Sequence, residues 1–182
     1  MLKNSTTSYG WISIAMHWFM ALALFFMFGL GLYMVELTYY DAWYKGSLDL
    51  HKNLGMLLLV CLMFRVGWRV INIQPTALAG PAWQQWVGHW MHQSLYMVML
   101  LLMVSGYLIS TADGRAIAIF DLINIPALPW HIENQEDIAG EIHAFLSWLL
   151  IALSVAHALA ALKHHFINKD RTLERMLKID NT

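Results

Sequence analysis

Long apolar stretches alternate with short polar segments along the chain, and four of the apolar stretches are long enough to cross a membrane. A helix needs about 20 residues to span the ~30 Å hydrocarbon core of a bilayer. Stretches of at least this length, with charged residues only near their ends, lie at about residues 11–35, 50–71, 83–112 and 138–166. We therefore predict an all-α fold, an integral membrane bundle of four transmembrane helices.

The segments between these stretches predict a single domain. The first apolar stretch is too long for the hydrophobic part of a signal peptide and lacks a small-residue cleavage site, so we interpret it as a permanent span. The segment between the third and fourth spans contains Pro126 and Pro129, which favour an irregular loop. We expect residues 1–182 to form one transmembrane domain.

Composition supports a bilayer environment. Hydrophobic residues make up 59% of the chain and charged residues 13%, whereas about a quarter of the residues of a soluble domain are charged. The net charge of −1 gives no indication of a nucleic-acid partner. The single cysteine, Cys61, excludes an intrachain disulfide, a four-cysteine metal site and the Cys-x-x-Cys-His attachment of c-type haem.

The distribution of basic residues predicts the orientation of the spans. With four spans, both termini lie on one side, which we call the terminal face; the opposite side is the loop face. Eight Lys and Arg residues fall on the terminal face, namely Lys3, Arg65, Arg69, Lys163, Lys169, Arg171, Arg175 and Lys178. The loop face has three, Lys45, Lys52 and Arg115. The positive-inside rule then places both termini in the cytoplasm.

Four of the nine histidines occur at matched depths in different spans. His17 and His157 lie about two turns inside the terminal face, and His51 and His143 lie at the loop face. Ionisable groups within a membrane span are costly and indicate a functional site. His143 and His157 are 14 residues apart, or about 3.9 helical turns, so they share one face of the fourth span, ~21 Å apart along its axis.

Two imidazoles at each level favour haem over a bare metal ion. A metal site built from side chains alone usually needs three or four ligands, whereas porphyrin supplies four nitrogens and leaves two axial positions. Iron with both axial positions filled has no open site for O₂, which favours electron transfer. We predict two b-type haems, with the iron of the inner one bound by His17 and His157 and that of the outer one by His51 and His143.

Other polar residues near the spans leave more than one interpretation open. His89 and His92 either have a structural role, line a quinone pocket or replace a presumed ligand. His164 and His165 form an interfacial cationic cluster or contact a quinone, and His131 fits ordinary loop chemistry. Arg65 and Arg69 anchor the second span or pair with haem propionates, and Lys52 could pair with propionates at the loop face.

Several segments together resemble the bacterial cytochrome b561 family. They are Ile14-Ala15-Met16-His17-Trp18, His51-Lys52-Asn53-Leu54-Gly55, Arg65-Val66-Gly67-Trp68-Arg69, His89-Trp90-Met91-His92, His143 with His157, and the tail from His164 to Met176. The resemblance covers essentially the whole chain. It implies a di-haem cytochrome of the bacterial inner membrane that exchanges electrons with ubiquinone; some members are described as superoxide oxidases. His164 matches a histidine near the family's proposed quinone site.

The leading hypothesis is therefore a quinone-linked oxidoreductase that carries electrons between ubiquinone and an outer donor, either periplasmic superoxide or another redox partner. The loop face carries several acids and few bases, which departs from the positive charge expected around an anionic substrate. One alternative is a membrane-anchor cytochrome b subunit of a larger dehydrogenase or hydrogenase. Another, from a different class, is a histidine-lined metal transporter, although the spans lack the broken-helix interruptions typical of transporter sites. No catalytic residue is identified.

Overall fold

Four long helices dominate the structure, a computed structural model that describes residues 1–78, 80–130 and 132–178. They are α1 (Trp11–Val35), α2 (Tyr44–Ile71), α3 (Ala82–Ser110) and α4 (Gln135–Lys163). All four are long and apolar enough to cross a membrane. The predicted four-helix transmembrane bundle is confirmed.

The helix ends differ modestly from the prediction. α1 has the predicted bounds, but α2 begins at Tyr44, six residues before the apolar stretch. Ser47 in this first turn is fully buried, and its hydroxyl donates to the Tyr44 carbonyl at 2.9 Å. A helix pairs the hydrogen-bonding groups of its own backbone. Polar residues at a membrane interface can therefore extend it without leaving unpaired backbone groups in the bilayer. α4 continues into a π-helix at His164–Asn168.

The loop between α3 and α4 contains a small hairpin, so the prediction of an irregular loop holds only for the part around Pro126 and Pro129. β1 (Ile117–Ile119) pairs antiparallel with β2 (Ile123–Ile125), and the alternating isoleucines carried this signal. The backbone N–H of Phe120, in the hairpin turn, donates to the side chain of Asn53 at 2.9 Å. The hairpin is thereby held against α2 close to His51.

The N-terminal segment and the C-terminal tail both pack at the terminal face. The side chain of Asn4 is buried, donates to the Ile73 carbonyl at 2.9 Å and accepts from the Gly10 backbone at 2.9 Å. In the C-terminal tail (residues 169–178), the Met176 carbonyl accepts a hydrogen bond from the Trp18 indole at 2.7 Å. Both terminal segments thus cover the same end of the bundle.

An apolar cluster fills the centre of the bundle. Its buried members come from all four helices: Met20, Met27, Leu58, Leu62, Val98, Met99, Met103, Leu146 and Leu150. The members in α1, α2 and α4 lie at depths between the level of His17 and His157 and the level of His51 and His143. Any cofactors at the two levels would therefore be separated by a layer without charges.

Candidate functional site

The four predicted ligand histidines form two pairs with nearly the same geometry. The ring centres of His17 and His157, the inner pair, are 6.2 Å apart with an interplanar angle of 66°. The ring centres of His51 and His143, the outer pair, are 6.2 Å apart at 67°. Each pair joins α4 to a different helix, α1 for the inner pair and α2 for the outer one.

This spacing matches two imidazoles that share one metal. Bonds from a metal to imidazole nitrogen are about 2 Å long, so two rings on opposite sides of one ion have centres about 6 Å apart, once half a ring is added on each side. Directly stacked or hydrogen-bonded rings would lie closer. The described residues contain no cluster of three or more His, Cys, Asp or Glu side chains able to hold a metal ion. Each of the two pairs therefore offers two imidazoles as donors, which fits haem.

Hydrogen bonds at the outer pair hold His143 in one tautomer. Its Nδ1 lies 3.0 Å from the Leu102 carbonyl and 3.1 Å from the Ser105 hydroxyl oxygen. Because a carbonyl can only accept, Nδ1 carries the proton, and the lone pair of Nε2 is left free for a metal. Such an outer hydrogen bond is typical of metal-binding histidines.

Small residues and an unpaired nitrogen mark the rest of the outer pair. A side chain at Gly106 would bring its Cβ within 3.1 Å of the His143 ring, and one at Gly31 within 3.5 Å of the His51 ring. Nδ1 of His51 is buried and has no hydrogen-bond partner in the described part of the chain. Unsatisfied buried polar atoms are rare and occur at functional sites. Both features fit rings packed tightly into a cofactor site.

The inner pair lies in a cavity of about 440 Å³ lined by all four helices and the C-terminal tail. The lining includes His17, His157, Arg65 and Arg69. The Arg65 guanidinium donates to Nδ1 of His17 at 3.1 Å. A third histidine, His92, lines the same cavity, with its ring centre 5.1 Å from that of His157. The inner pair therefore lies in a cavity with two cationic side chains, whereas the outer pair is tightly packed.

The remaining predicted residues are more scattered. His89 is exposed and packs edge-on against Trp90. Lys52 forms an ion pair with Asp49 at 3.1 Å, so the structure gives it a partner other than a propionate. His165 packs against Phe166, with ring centres 4.8 Å apart. His131 lies outside the described residues.

His164 does not line the inner cavity but belongs to a polar cluster beside it. Its Nδ1 lies 2.6 Å from an Asp170 carboxylate oxygen and 3.2 Å from the side-chain nitrogen of Asn168. These contacts are formed because the π-helix and the left-handed conformation of Lys169 turn the chain back after α4. π-Helical turns are frequent at functional sites.

Sequence reasoning missed two site residues, Tyr96 and Ser105. Tyr96 lies one helical turn after His92, on the same face of α3, and its hydroxyl accepts a hydrogen bond from Arg65 at 3.1 Å. The i, i+4 spacing from His92 was a signal that could have identified it. Ser105 had no such signal, because its contact with His143 depends on the packing of α3 against α4.

Comparison with known proteins gives a consistent result. The prokaryotic cytochrome b561 family matches residues 8–178. The chain is 45% identical to "Cytochrome b561 homolog 2" of Escherichia coli K12, covering 96% of this chain and 93% of that protein. It is 31% identical to "Cytochrome b561 homolog 1" of the same organism, covering 71% and 73%. It is 28% identical to "Probable superoxide oxidase CybB" of Yersinia pestis, covering 93% and 95%.

A family match over nearly the whole chain agrees with the paired histidines and the four spans. The family implies b-type haem, electron transfer and a place in a bacterial membrane, and the two imidazoles at each level fit that cofactor. The chain belongs to the prokaryotic cytochrome b561 family.

Proposed function

We propose that this cytochrome moves electrons across the bilayer through two b haems. His17 and His157 would hold the inner haem, and His51 and His143 the outer haem. The observation that carries the proposal is the repeated ring geometry, 6.2 Å at 66° and 6.2 Å at 67°, at two levels. When bound, haem b supplies reversible one-electron chemistry at iron. The whole chain would act as one domain, since each level takes ligands from two helices.

The protein's own residues would set the two ends of this path. α4 holds one ligand of each pair, ~21 Å apart along its axis, and the apolar cluster keeps water and charge out of the space between them. Arg65 and Arg69 line the inner cavity, where their guanidinium groups suit the carboxylates of haem propionates. Lys52 is the basic residue nearest in sequence to His51 and would have to leave Asp49 to take that role.

A reduced-minus-oxidised absorption spectrum of the purified protein tests this proposal. The expected result is a sharp α-band and about two haems per chain by pyridine haemochrome. One haem per chain would leave a single pair as the site. A colourless protein that binds zinc would contradict the proposal and favour the metal transporter.

At the terminal face we propose exchange with ubiquinone near His164. The hydrogen bond to Asp170 orients the His164 ring and leaves its other nitrogen for a quinone oxygen. Burial alone raises the pKa of Asp170, but hydrogen bonds from Thr172 and His164 outweigh it and leave the pKa below the ordinary value. An ionised Asp170 would stabilise a protonated His164 beside a reduced quinone.

Electron transfer from the reduced protein to a short-chain ubiquinone analogue tests the role of His164. His164→Ala should slow this transfer at least tenfold and leave the haem spectrum unchanged, because the residue lies two turns beyond His157. His165→Ala is the matched control and should transfer at the wild-type rate. If the two variants behave alike, the quinone site lies elsewhere, with His92 in the inner cavity the first alternative and the exposed His89 the second.

We propose that both termini of the chain lie in the cytoplasm. The loop face would then meet an electron donor outside the cytoplasm. The relative from Yersinia pestis carries the name of a probable superoxide oxidase. The loop face of this chain, however, carries nine acidic side chains and three basic ones. Two of those bases, Lys52 and Arg115, form ion pairs with Asp49 and Asp113. Charge therefore favours a cationic redox partner over superoxide, and stopped-flow reduction by each donor distinguishes them.

A further inference from the structure

Two arginines lie one turn apart within the span α2, at the end of the bundle where the inner pair lies. Arg65 and Arg69 are half-buried and line the inner cavity. Within the described ranges, neither guanidinium forms an ion pair with a carboxylate. Cations in a membrane span are costly unless an anion or a polar group compensates them. Two arginines without a carboxylate partner among the described residues therefore make the cavity suited to an anionic group.

Tyr96 lies between these two arginines. Its hydroxyl oxygen accepts a hydrogen bond from Nε of Arg65 at 3.1 Å. Its ring centre is 5.8 Å from the guanidinium carbon of Arg65 and 5.8 Å from that of Arg69, within the range of a cation–π interaction. One side chain of α3 thus contacts both arginines of α2.

The contact between Arg65 and His17 adds a constraint. A guanidinium can only donate, so Nδ1 of His17 accepts in the present arrangement and the ring proton lies on Nε2. A histidine that binds iron through Nε2 has its proton on Nδ1 instead. Haem binding therefore requires the terminal nitrogens of Arg65 to turn away from His17 to another acceptor, while Nε can stay on Tyr96.

We infer that Tyr96 is a positioning residue that holds Arg65 and Arg69 against the propionate carboxylates of the inner haem. The inference rests on the proposed function. By accepting from Nε of Arg65 and presenting its ring to both guanidinium groups, Tyr96 leaves the terminal nitrogens able to turn to anionic oxygen. Two held cations favour the reduced, more negative state of the inner haem, so Tyr96 raises its midpoint potential.

A redox titration of the purified full-length protein tests this role. Tyr96→Phe keeps the aromatic ring and removes only the hydroxyl. The measured quantity is the ratio of reduced to oxidised inner haem at the midpoint potential of the wild type. In Tyr96→Phe we expect this ratio to be about threefold lower than in the wild type, because Arg65 is no longer fixed. Arg65→Gln should lower the ratio about tenfold, which corresponds to about 59 mV for a one-electron couple. The signal of the inner haem is identified as the one that remains in the His51→Ala variant, which lacks an outer ligand.

The double variant separates positioning from a general structural effect. If Tyr96 acts through Arg65, the variant with both Tyr96→Phe and Arg65→Gln should show no larger fall than Arg65→Gln alone. Tyr107→Phe is the matched control. Tyr107 lies on the same helix, eleven residues and about three turns later, and its hydroxyl donates to the Pro126 carbonyl at 2.7 Å. This control should leave the inner potential unchanged.

A separate experiment must identify the anion that the arginines bind, because a reduced quinone also presents anionic oxygen. Reconstitution with haem b dimethyl ester removes the propionate charges. The effect of Tyr96→Phe on the inner potential should then disappear. An effect that persists with the ester would overturn the assignment to propionates and point to quinone.

Two further results would overturn the inference. One is an inner potential equal to that of the wild type in Tyr96→Phe. The other is a shift in the double variant equal to the sum of the single shifts. Failure of the proposed function can be distinguished from failure of this inference. In that case the wild-type protein itself would contain no haem or only one haem per chain.

Discussion

The inner and outer histidine pairs differ in their surroundings far more than in their own geometry. The inner pair shares a cavity with two arginines and a third histidine, His92. Around the outer pair lie a carbonyl, a hydroxyl and two glycines, with an acid-rich face above it. Similar ligands in different fields should give different potentials, because nearby cations stabilise reduced haem and hydrogen bonds from a ligand to a carbonyl stabilise oxidised haem.

Under the proposed function, this difference predicts a direction for electron flow. The inner haem should have the higher potential, so electrons should move from the loop face toward the terminal face, where His164 and the proposed quinone site lie. The comparison also explains how one helix can serve two unlike sites. α4 presents His143 and His157 on one face, and the tuning comes from α2 and α3.

Removing a ligand histidine should have the largest effect, because it should abolish haem binding at one pair and leave the other intact. His157→Ala should remove the inner haem and His143→Ala the outer one, each leaving about one haem per chain by pyridine haemochrome. His89→Ala, an exposed histidine on α3, is the control and should retain both. If His157→Ala also retains two haems, the inner pair has been assigned incorrectly, and His92 is the ligand in place of His157.

The charge of the loop face should have the next largest effect. Between low and physiological salt, the rate of reduction by a cationic cytochrome should fall about tenfold, and that by superoxide should rise, because screening weakens attraction and repulsion alike. Stopped-flow absorbance of the haems measures both rates. A neutral reductant provides the control. Reduction by superoxide that slows with added salt would contradict the electrostatic comparison.

Filling the space beside His143 should affect the outer pair alone. Gly106→Ala places a methyl group 3.1 Å from the ring, so either the ring or α3 must shift. We expect the outer haem to dissociate about tenfold faster, measured by transfer to apomyoglobin. Gly88→Ala is the matched control on the same helix, since no heavy atom lies within 4 Å of its added Cβ. Equal loss of both haems in Gly106→Ala would indicate general misfolding instead.

The hydrogen bond of Ser105 should have the smallest effect. Ser105→Ala removes one of two acceptors for the His143 Nδ1–H, which makes the ligand less electron-rich. The midpoint potential of the outer haem should rise by about 20–60 mV, the equivalent of a hydrogen bond worth about 0.5–1.5 kcal/mol. Thr111→Ala removes a buried hydroxyl that bonds only a backbone carbonyl, at 2.9 Å, and should leave the potential unchanged. A fall in Ser105→Ala would reverse our interpretation of this bond.

The fold was predictable because the bilayer imposes a simple length and charge rule. α1 was placed to the residue, since a polar segment that ends at Gly10 precedes the apolar stretch and the charged Glu36 follows it. The pairing of His17 with His157 and of His51 with His143 followed from depth alone. Helical periodicity also placed His143 and His157 on one face.

Contacts between helices were harder to predict. The hydrogen bond between Ser105 and His143 and the position of Tyr96 between two arginines depend on how α3 is rotated against its neighbours, and no sequence period fixes that rotation. The hairpin over Asn53 was missed because two prolines outweighed its alternating isoleucines in our reading. The polar cluster of His164 and Asp170 was equally hidden, since it needs a π-turn that the sequence does not signal.

The sharing of α4 by both pairs has a consequence for biosynthesis. Because the last span to be translated contributes His143 and His157, a nascent chain that stops before it has only one half of each binding site. Tight capture of the outer prosthetic group should therefore require synthesis past residue 143, and capture of the inner one synthesis past residue 157. Products that terminate before the last span would reach the membrane as colourless helices that hold no redox-active iron.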